Sequence, residues 1–278
     1  MKLVSSAKLR KAQNAIAAMR PYQEALESML AAVEIPGQAG NDVMPGTLVM
    51  PGTLVMPGTL VMPGTDRASQ PRVIVAIASN SSLCGGFNSN VIAKVRSVRK
   101  SGDIVYSIGR KMADAMSKDG FPSPEDLSAL AEHPSYAAAA SLVEKLSQDL
   151  DAGRIGSVTL VYTHFVSSAR QVPVVENLLP FVLQSEKIGQ DPSQSDVIIE
   201  PLASELQAVL IPKTLKLKLF AAILDSAAAE HAARTIAMQT ATDNGNQLLD
   251  ELTLQYNKGR QQKITNEILD LAGGQAAR

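Results

Sequence analysis

The chain has 278 residues, is 45% hydrophobic but only 4% aromatic, and carries a formal net charge of −1. That supplies one substantial core or two smaller ones, and the near-neutral charge argues against a main task of holding nucleic acid. A single cysteine, Cys84, excludes an internal disulfide and a cysteine-rich metal site, and no apolar run approaches the length of a bilayer span, so a soluble or peripheral protein is expected.

In the first 35 residues, Leu9, Ala12, Ile16, Met19, Gln23, Leu26, Leu30 and Val33 follow one another at steps of three and four, with Gln23 the only polar member. That is the seam of a coiled-coil helix. Pro21 lies inside it, removes one backbone donor and is expected to bend the helix. Lys2, Lys8, Arg10, Lys11 and Arg20 precede the first acid, Glu24, which is also the composition of an organelle transit peptide. The seam runs straight through these residues, so a basic structural helix is the preferred reading.

Residues 36–71 read as a linker. They hold a repeat of period six, Val43-Met44-Pro45-Gly46-Thr47-Leu48, restarting at Val49, Val55 and Val61 and ending at Thr65. Each Pro-Gly fits the centre of a type II turn. A β-helix needs more coils and a covered end, so a dispensable surface insert is expected.

Residues 72–200 alternate between two periods. Strands are expected at 73–78, 103–108, 158–165 and 172–183, and helices at 91–99, 110–118 and 136–150, which together make an α/β layer with a largely parallel sheet. The Cys84-Gly85-Gly86 loop lies between a strand and a helix, where backbone N–H groups can hold a phosphate. It matches neither G-x-G-x-x-G nor G-x-x-x-x-G-K-[ST], and a tight turn needing glycine conformations is the better account, with Cys84 a small buried side chain. His133, His164 and His231 have no second ligand at metal spacing, and no catalytic motif stands out, so no catalytic residue, cofactor or metal is expected.

From 201 to 278 the chain is helical, with one continuous helix expected over 215–271, on the order of 85 Å long. Its seam passes through Met238, Ala241, Gly245, Leu248 and Leu252, then shifts to Tyr256, Ile264, Ile268 and Leu271. A change of seam implies a change of neighbour. Lys258, Arg260 and Lys263 are by default a solvated face, of interest only if a protein sleeve surrounds the helix. The resulting fold class is α/β, with a long antiparallel coiled coil of N- and C-terminal helices flanking an inserted α/β (Rossmann-like) domain.

Several blocks carry a resemblance. They are Glu230-His231-Ala232-Ala233-Arg234, Ala237-Met238, Ala241-Thr242-Asp243-Asn244, Tyr256-Asn257-Lys258, Arg260-Gln261 and Ile264-Thr265. With Ser5-Ser6-Ala7-Lys8-Leu9-Arg10-Lys11-Ala12-Gln13, Arg20-Pro21-Tyr22 and Leu83-Cys84-Gly85-Gly86-Phe87-Asn88, they span nearly the whole chain outside the repeat. The chain resembles the gamma subunit of the rotary F-type ATP synthase. The resemblance implies a non-catalytic central shaft, peripheral on the cytoplasmic side of a bacterial cell membrane. Its implied partners are the alpha and beta subunits of the catalytic hexamer, the epsilon subunit and the c-ring. It places Arg234, Gln261 and Thr265 against loops of beta, Arg234 and Gln261 being expected as exposed polar residues, and Lys8, Arg10 and Lys11 toward acidic loops of beta.

Departures accompany it. The chain begins where the family has about twenty earlier helical residues, roughly 30 Å, which leaves either a late start or a stem lacking part of its second strand. Asn80, Ser81 and Ser82 stand where the family has Asp-Arg-Gly, so any role of that arginine is absent. Gly259 replaces the usual Ala, at about 1 kcal/mol of helix propensity. The competing reading is an α/β nucleotide- or phosphate-binding module using the Gly85-Gly86 loop, its helices serving only to oligomerise it.

Overall fold

Two helices that are remote in sequence run side by side: α1 (Lys2–Val33) and α6 (Ala203–Ala276). The structure is a computed structural model and describes residues 2–33, 70–180 and 203–276. The hexapeptide repeat, most of the expected linker, and the end of the expected strand at 172–183 lie outside the described residues.

The helices pair antiparallel. Lys2 at the start of α1 donates to Gln239 of α6, while Leu26 and Leu30 near its end share an apolar cluster with Leu210, Ile211 and Leu215. Ser5, Leu26 and Leu30 are buried and Leu9, Ala12, Ile16, Met19 and Gln23 half-buried, with exposed residues between them. The seam read from the sequence is therefore the contact face; the side chain of Val33 lies outside the described residues. α1 continues through Pro21, which is exposed.

α6 departs from expectation at both ends. It starts at Ala203, well before 215, and continues through Pro212. Pro212 removes a backbone donor, but Ile211 and Leu215 on either side of it are fully buried, and their packing offsets that loss. The seam expected at Ala241, Gly245, Leu248 and Leu252 is exposed, with Leu248 at 58% and Leu252 at 62%. The reason is geometric: Lys2 already stands opposite Gln239, so residues 240–276 extend roughly 55 Å with no counterpart among the described residues.

Between the helices lies the α/β domain. β1 (Arg72–Ile77), β2 (Ile104–Ile108), β3 (Ser157–Phe165) and β4 (Gln171–Leu179) form one sheet in the order β2-β1-β3-β4. β1 is parallel to β2 and β3, whereas β4 returns antiparallel along β3 because their short connection permits only a hairpin. The helices are α2 (Phe87–Val98), α3 (Arg110–Lys118), α4 (Ser128–Glu132) and α5 (Tyr136–Asp151). The short α4, bracketed by Pro124 and Pro134, was not foreseen.

β1 shows why its sequence is an unbroken apolar run. Val73, Val75 and Ile77 point into a core with Leu26, Leu30, α5 and α6, while Ile74, Ala76 and Ala78 point into a second core with α2 and α3. Alternate residues face opposite sides of a sheet covered on both. α6 is thereby fixed across one face of the domain over residues 210–223.

At the end of β2, Gly109 has φ +104, and a Cβ there would stand 2.2 Å from the Ala78 carbonyl oxygen. Gly102 has φ +94 but open space around it. Gly109→Ala should therefore cost at least about 3 kcal/mol and Gly102→Ala about 1 kcal/mol, compared by urea unfolding midpoints. Equal losses would mean that crowding at Ala78 is relieved at little cost.

Candidate functional site

The C-terminal ends of β1 and β3 meet α6 where it leaves the domain. Ser79 to Gly86 form the turn from β1 into α2, with Leu83 at φ +66 and Gly85 at φ +57. Gly85 needs its left-handed backbone rather than space, since a Cβ would lie 3.8 Å from that of Ala237. Cys84 is 1% exposed and packs with Phe87 and Ala229, flanked by Phe165 and Ala233.

Side chains of the turn are engaged with one another and with neighbouring elements. The Asn88 carboxamide accepts from the Ser79 backbone N–H (3.1 Å) and donates to the Ser81 carbonyl (3.3 Å). Asn80 donates to the Ser128 carbonyl (2.8 Å) and accepts from the Arg110 N–H (2.9 Å). A shallow depression of about 210 Å³ beside the turn is lined by residues including Gly85, Gly86, Asn90, Thr163 and Gln171, with no Lys or Arg among them. The depression beside Gly85 and Gly86 thus presents no basic side chain to a phosphate.

Arg234, expected to be an exposed polar residue, is largely buried at its side chain. Its guanidinium donates to Glu230 (2.6 Å) and to the Ser81 hydroxyl (2.8 Å), and the Arg234 and Glu230 side chains are only 12% and 11% exposed. Burial raises the Glu230 pKa, and the adjacent Arg234 opposes that rise. His231 is held neutral: burial, with Arg234 and Lys8 nearby, lowers its pKa to about 4, and its Nδ1 is buried without a hydrogen-bond partner. Asp225, two turns earlier, accepts from the Phe165 N–H (3.1 Å) and from Nδ1–H of His164 (2.5 Å). Burial raises its pKa and His164 opposes that.

The other sequence-derived residues lie apart. Lys8, Arg10 and Lys11 are exposed on α1, with Lys8 near Glu230 and His231. Gln261 and Thr265 are exposed about 40 Å farther along α6, where the Thr265 hydroxyl donates to the Gln261 carbonyl at 2.9 Å. Sequence reasoning missed Ser81, Asp225 and His164 as partners. The Ser81–Arg234 and His164–Asp225 contacts span 153 and 61 positions and have no local signature; only the Glu230/Arg234 spacing of four was legible.

Past the junction, Leu248, Leu252, Tyr256, Ile264 and Ile268 stand 47–72% exposed on a helix with no neighbour among the described residues. An isolated helix draws little stability from propensity, and such apolar exposure marks a surface that other proteins cover. Fold and junction together define a shaft protein, a compact body fixed to a stem that carries a projecting helix.

Comparison with known proteins agrees with that class. The ATP synthase family model matches residues 1–277. The ATP synthase gamma chain of Phocaeicola vulgatus is 41% identical over 285 residues, covering 100% of this chain and 92% of the relative. That of Flavobacterium johnsoniae is 37% identical over 284 residues, covering 100% and 91%. A chain in the central stalk and c-ring structure of Tetrahymena thermophila mitochondrial ATP synthase shares the fold at TM-score 0.58 and 20% identity, over 87% of this chain and 97% of that one. A chain of the Euglena gracilis mitochondrial ATP synthase does so at TM-score 0.55 and 18% identity, over 99% and 94%. The chain belongs to the ATP synthase gamma chain family.

Two outcomes follow from the junction. Arg234→Ala leaves the Glu230 carboxylate buried without its partner and should cost about 2–3 kcal/mol in urea unfolding, whereas adding Glu230→Gln should recover at least about half of that loss. No loss for the single variant would return Arg234 to the exposed class. For His231, a folded pKa of about 4 against an ordinary 6.5 means that the unfolded chain takes up a proton first as pH falls. Its contribution is intact above pH 6.5 and is lost between 6.5 and about 4. The melting temperature should therefore fall less across that window in His231→Gln than in the parent; Glu230 and Asp225 shift oppositely but are common to both proteins. Parallel melting curves would contradict a neutral buried His231.

Proposed function

We propose that this chain is the central-stalk rotor subunit of a proton-translocating F-type ATP synthase, carrying torque between the membrane c-ring and the catalytic beta subunits. It makes and breaks no bonds; the chemistry belongs to beta. The observation that carries this reading is the projecting part of α6, apolar yet bare in the isolated chain, on a stem rigidly cored into the α/β domain. Membership of the gamma chain family supports it.

In this reading residues 1–35 and 201–278 are the shaft, 36–71 a linker, and 72–200 the domain that meets the epsilon subunit and the c-ring. The alpha and beta subunits form the sleeve around the shaft, and the protein sits peripherally on the cytoplasmic side of the bacterial membrane. Lys8, Arg10 and Lys11 serve acidic loops of beta. Their exposure suits that role, because solvated ion pairs contribute only about 0–1 kcal/mol each and leave a turning shaft free to exchange one partner for the next. Gln261 and Thr265, one turn apart on the projecting helix, engage beta in turn. The phosphate-binding alternative gains nothing from a depression whose lining holds no Lys or Arg.

The test is ATP-driven rotation of a complex reconstituted with alpha, beta and epsilon. Gln261→Ala with Thr265→Ala should leave the isolated chain's melting temperature unchanged, since both side chains are exposed. In the complex each truncation should cost about 1 kcal/mol of contact energy, read as lower torque. Unchanged torque would remove these residues from the beta contact, and failure of the parent chain to assemble with alpha and beta would overturn the rotor reading.

A further inference from the structure

A shaft that transmits torque must not roll within the domain that drives it, and the packing changes character along α6. Up to Ile223 most of the buried residues are large, Leu215, Leu217 and Leu219 among them, and they share a core with the sheet and α5. From Ser226 onward the buried residues are Ser226, Ala228, Ala229, Glu230 and Ala232. Alanine lets a helix approach closely but supplies no long side chain to key its angle. Over this last stretch before the stem leaves the domain, Phe87 and Phe165 pack against Ala229 and Ala233, and directional hydrogen bonds on the flanks of that contact sharpen the angle.

Two such contacts bracket the stretch. Asp225 binds the end of β3 through the Phe165 N–H and His164, and Arg234 binds the β1–α2 turn through Ser81. At 100° per residue, nine positions place the two side chains roughly 180° apart around the helix and about 13 Å apart along it. A roll of α6 in either direction stretches one contact or the other. Asp225 makes more contacts to the domain, because its two oxygens are each engaged by the end of β3 whereas Arg234 reaches the β1–α2 turn through Ser81 alone.

Resting on the rotor reading, we infer that Asp225 is a positioning residue for torque transmission: with the opposed Arg234–Ser81 contact it locks the rotational angle of the shaft relative to the α/β domain. The lock lies at the upper rim of the domain, where the stem leaves it and twisting load is concentrated.

The test uses the full chain, first alone and then in the reconstituted complex. Asp225→Ala should speed exchange of the Phe165 amide by about tenfold or more while β1 amides stay protected, whereas Asp225→Asn keeps an acceptor for that N–H and should change it less. Spin labels at Ser97→Cys on α2 and Gln247→Cys on α6 report the angle between domain and shaft. Their distance distribution should roughly double in width in Asp225→Ala and broaden partially in Asp225→Asn. In the complex, angular fluctuation during pauses of ATP-driven rotation should widen in the same order. If Asp225→Ala fails to fold, His164→Ala removes the exposed half of the contact and should also broaden the distribution. An unchanged width in a folded variant with a freed Phe165 amide overturns the inference. Broadening in the isolated chain with no change in the rotating complex also overturns it, as the lock would then bear no torque. A parent complex that does not rotate overturns the rotor reading instead, while broadening in the isolated chain still supports the lock.

Discussion

Leu26 and Leu30 of α1 lie in the same apolar cluster as Leu210, Ile211 and Leu215 of α6, and that cluster also holds Val73, Val75 and Ile77 of β1. Stem and domain thus share one core. Burying Leu30 removes it from water at a gain of about 2 kcal/mol, and the same contact fixes where two long helices cross the sheet. Without it, α1 would be a marginal helix with one apolar stripe and α6 would have no fixed exit from the domain. The direction of the projecting helix follows from this packing.

The junction adds orientation rather than bulk stability. Buried carboxylates such as Asp225 and Glu230 cost desolvation free energy that their partners only partly return, as their raised pKa values reflect. Hydrophobic residues of similar volume would serve stability as well or better. What carboxylate and guanidinium contribute is direction, since a hydrogen bond weakens steeply when its angle is lost. Small buried residues and paired charges therefore occur together where α6 leaves the domain, and large apolar residues dominate lower down.

Periodicity made much of this legible. The α1 seam from Leu9 to Leu30 matches the buried face, and β1, β2 and β3 stand where β-branched runs predicted them. Helix length also followed from pattern, although Pro212 concealed the start of α6 because the propensity rule ignores the packing that overrides it. The neighbour of each seam was less legible. Spacing alone could not show that Met238 is half-buried while Leu248 and Leu252 are bare, because the answer depends on where the other helix stands. The site divided similarly: Gln261 is as exposed as expected, whereas Arg234 turned inward to Ser81, a contact across 153 positions. Asn80 and Ser81, standing where the family has Asp-Arg, acquire partners of their own in Ser128, Arg110 and Arg234.

The central claim is that α6 beyond the junction is complete only when other chains surround it. Amide hydrogen exchange, followed residue by residue along α6 in the isolated chain and in the complex with alpha, beta and epsilon, tests this most directly. Strong protection is expected over residues 210–234 in both states, and rapid exchange over 245–270 in the isolated chain that slows by at least about a hundredfold on assembly. Equal protection along the whole helix in the isolated chain, or no slowing of 245–270 in the complex, would contradict it.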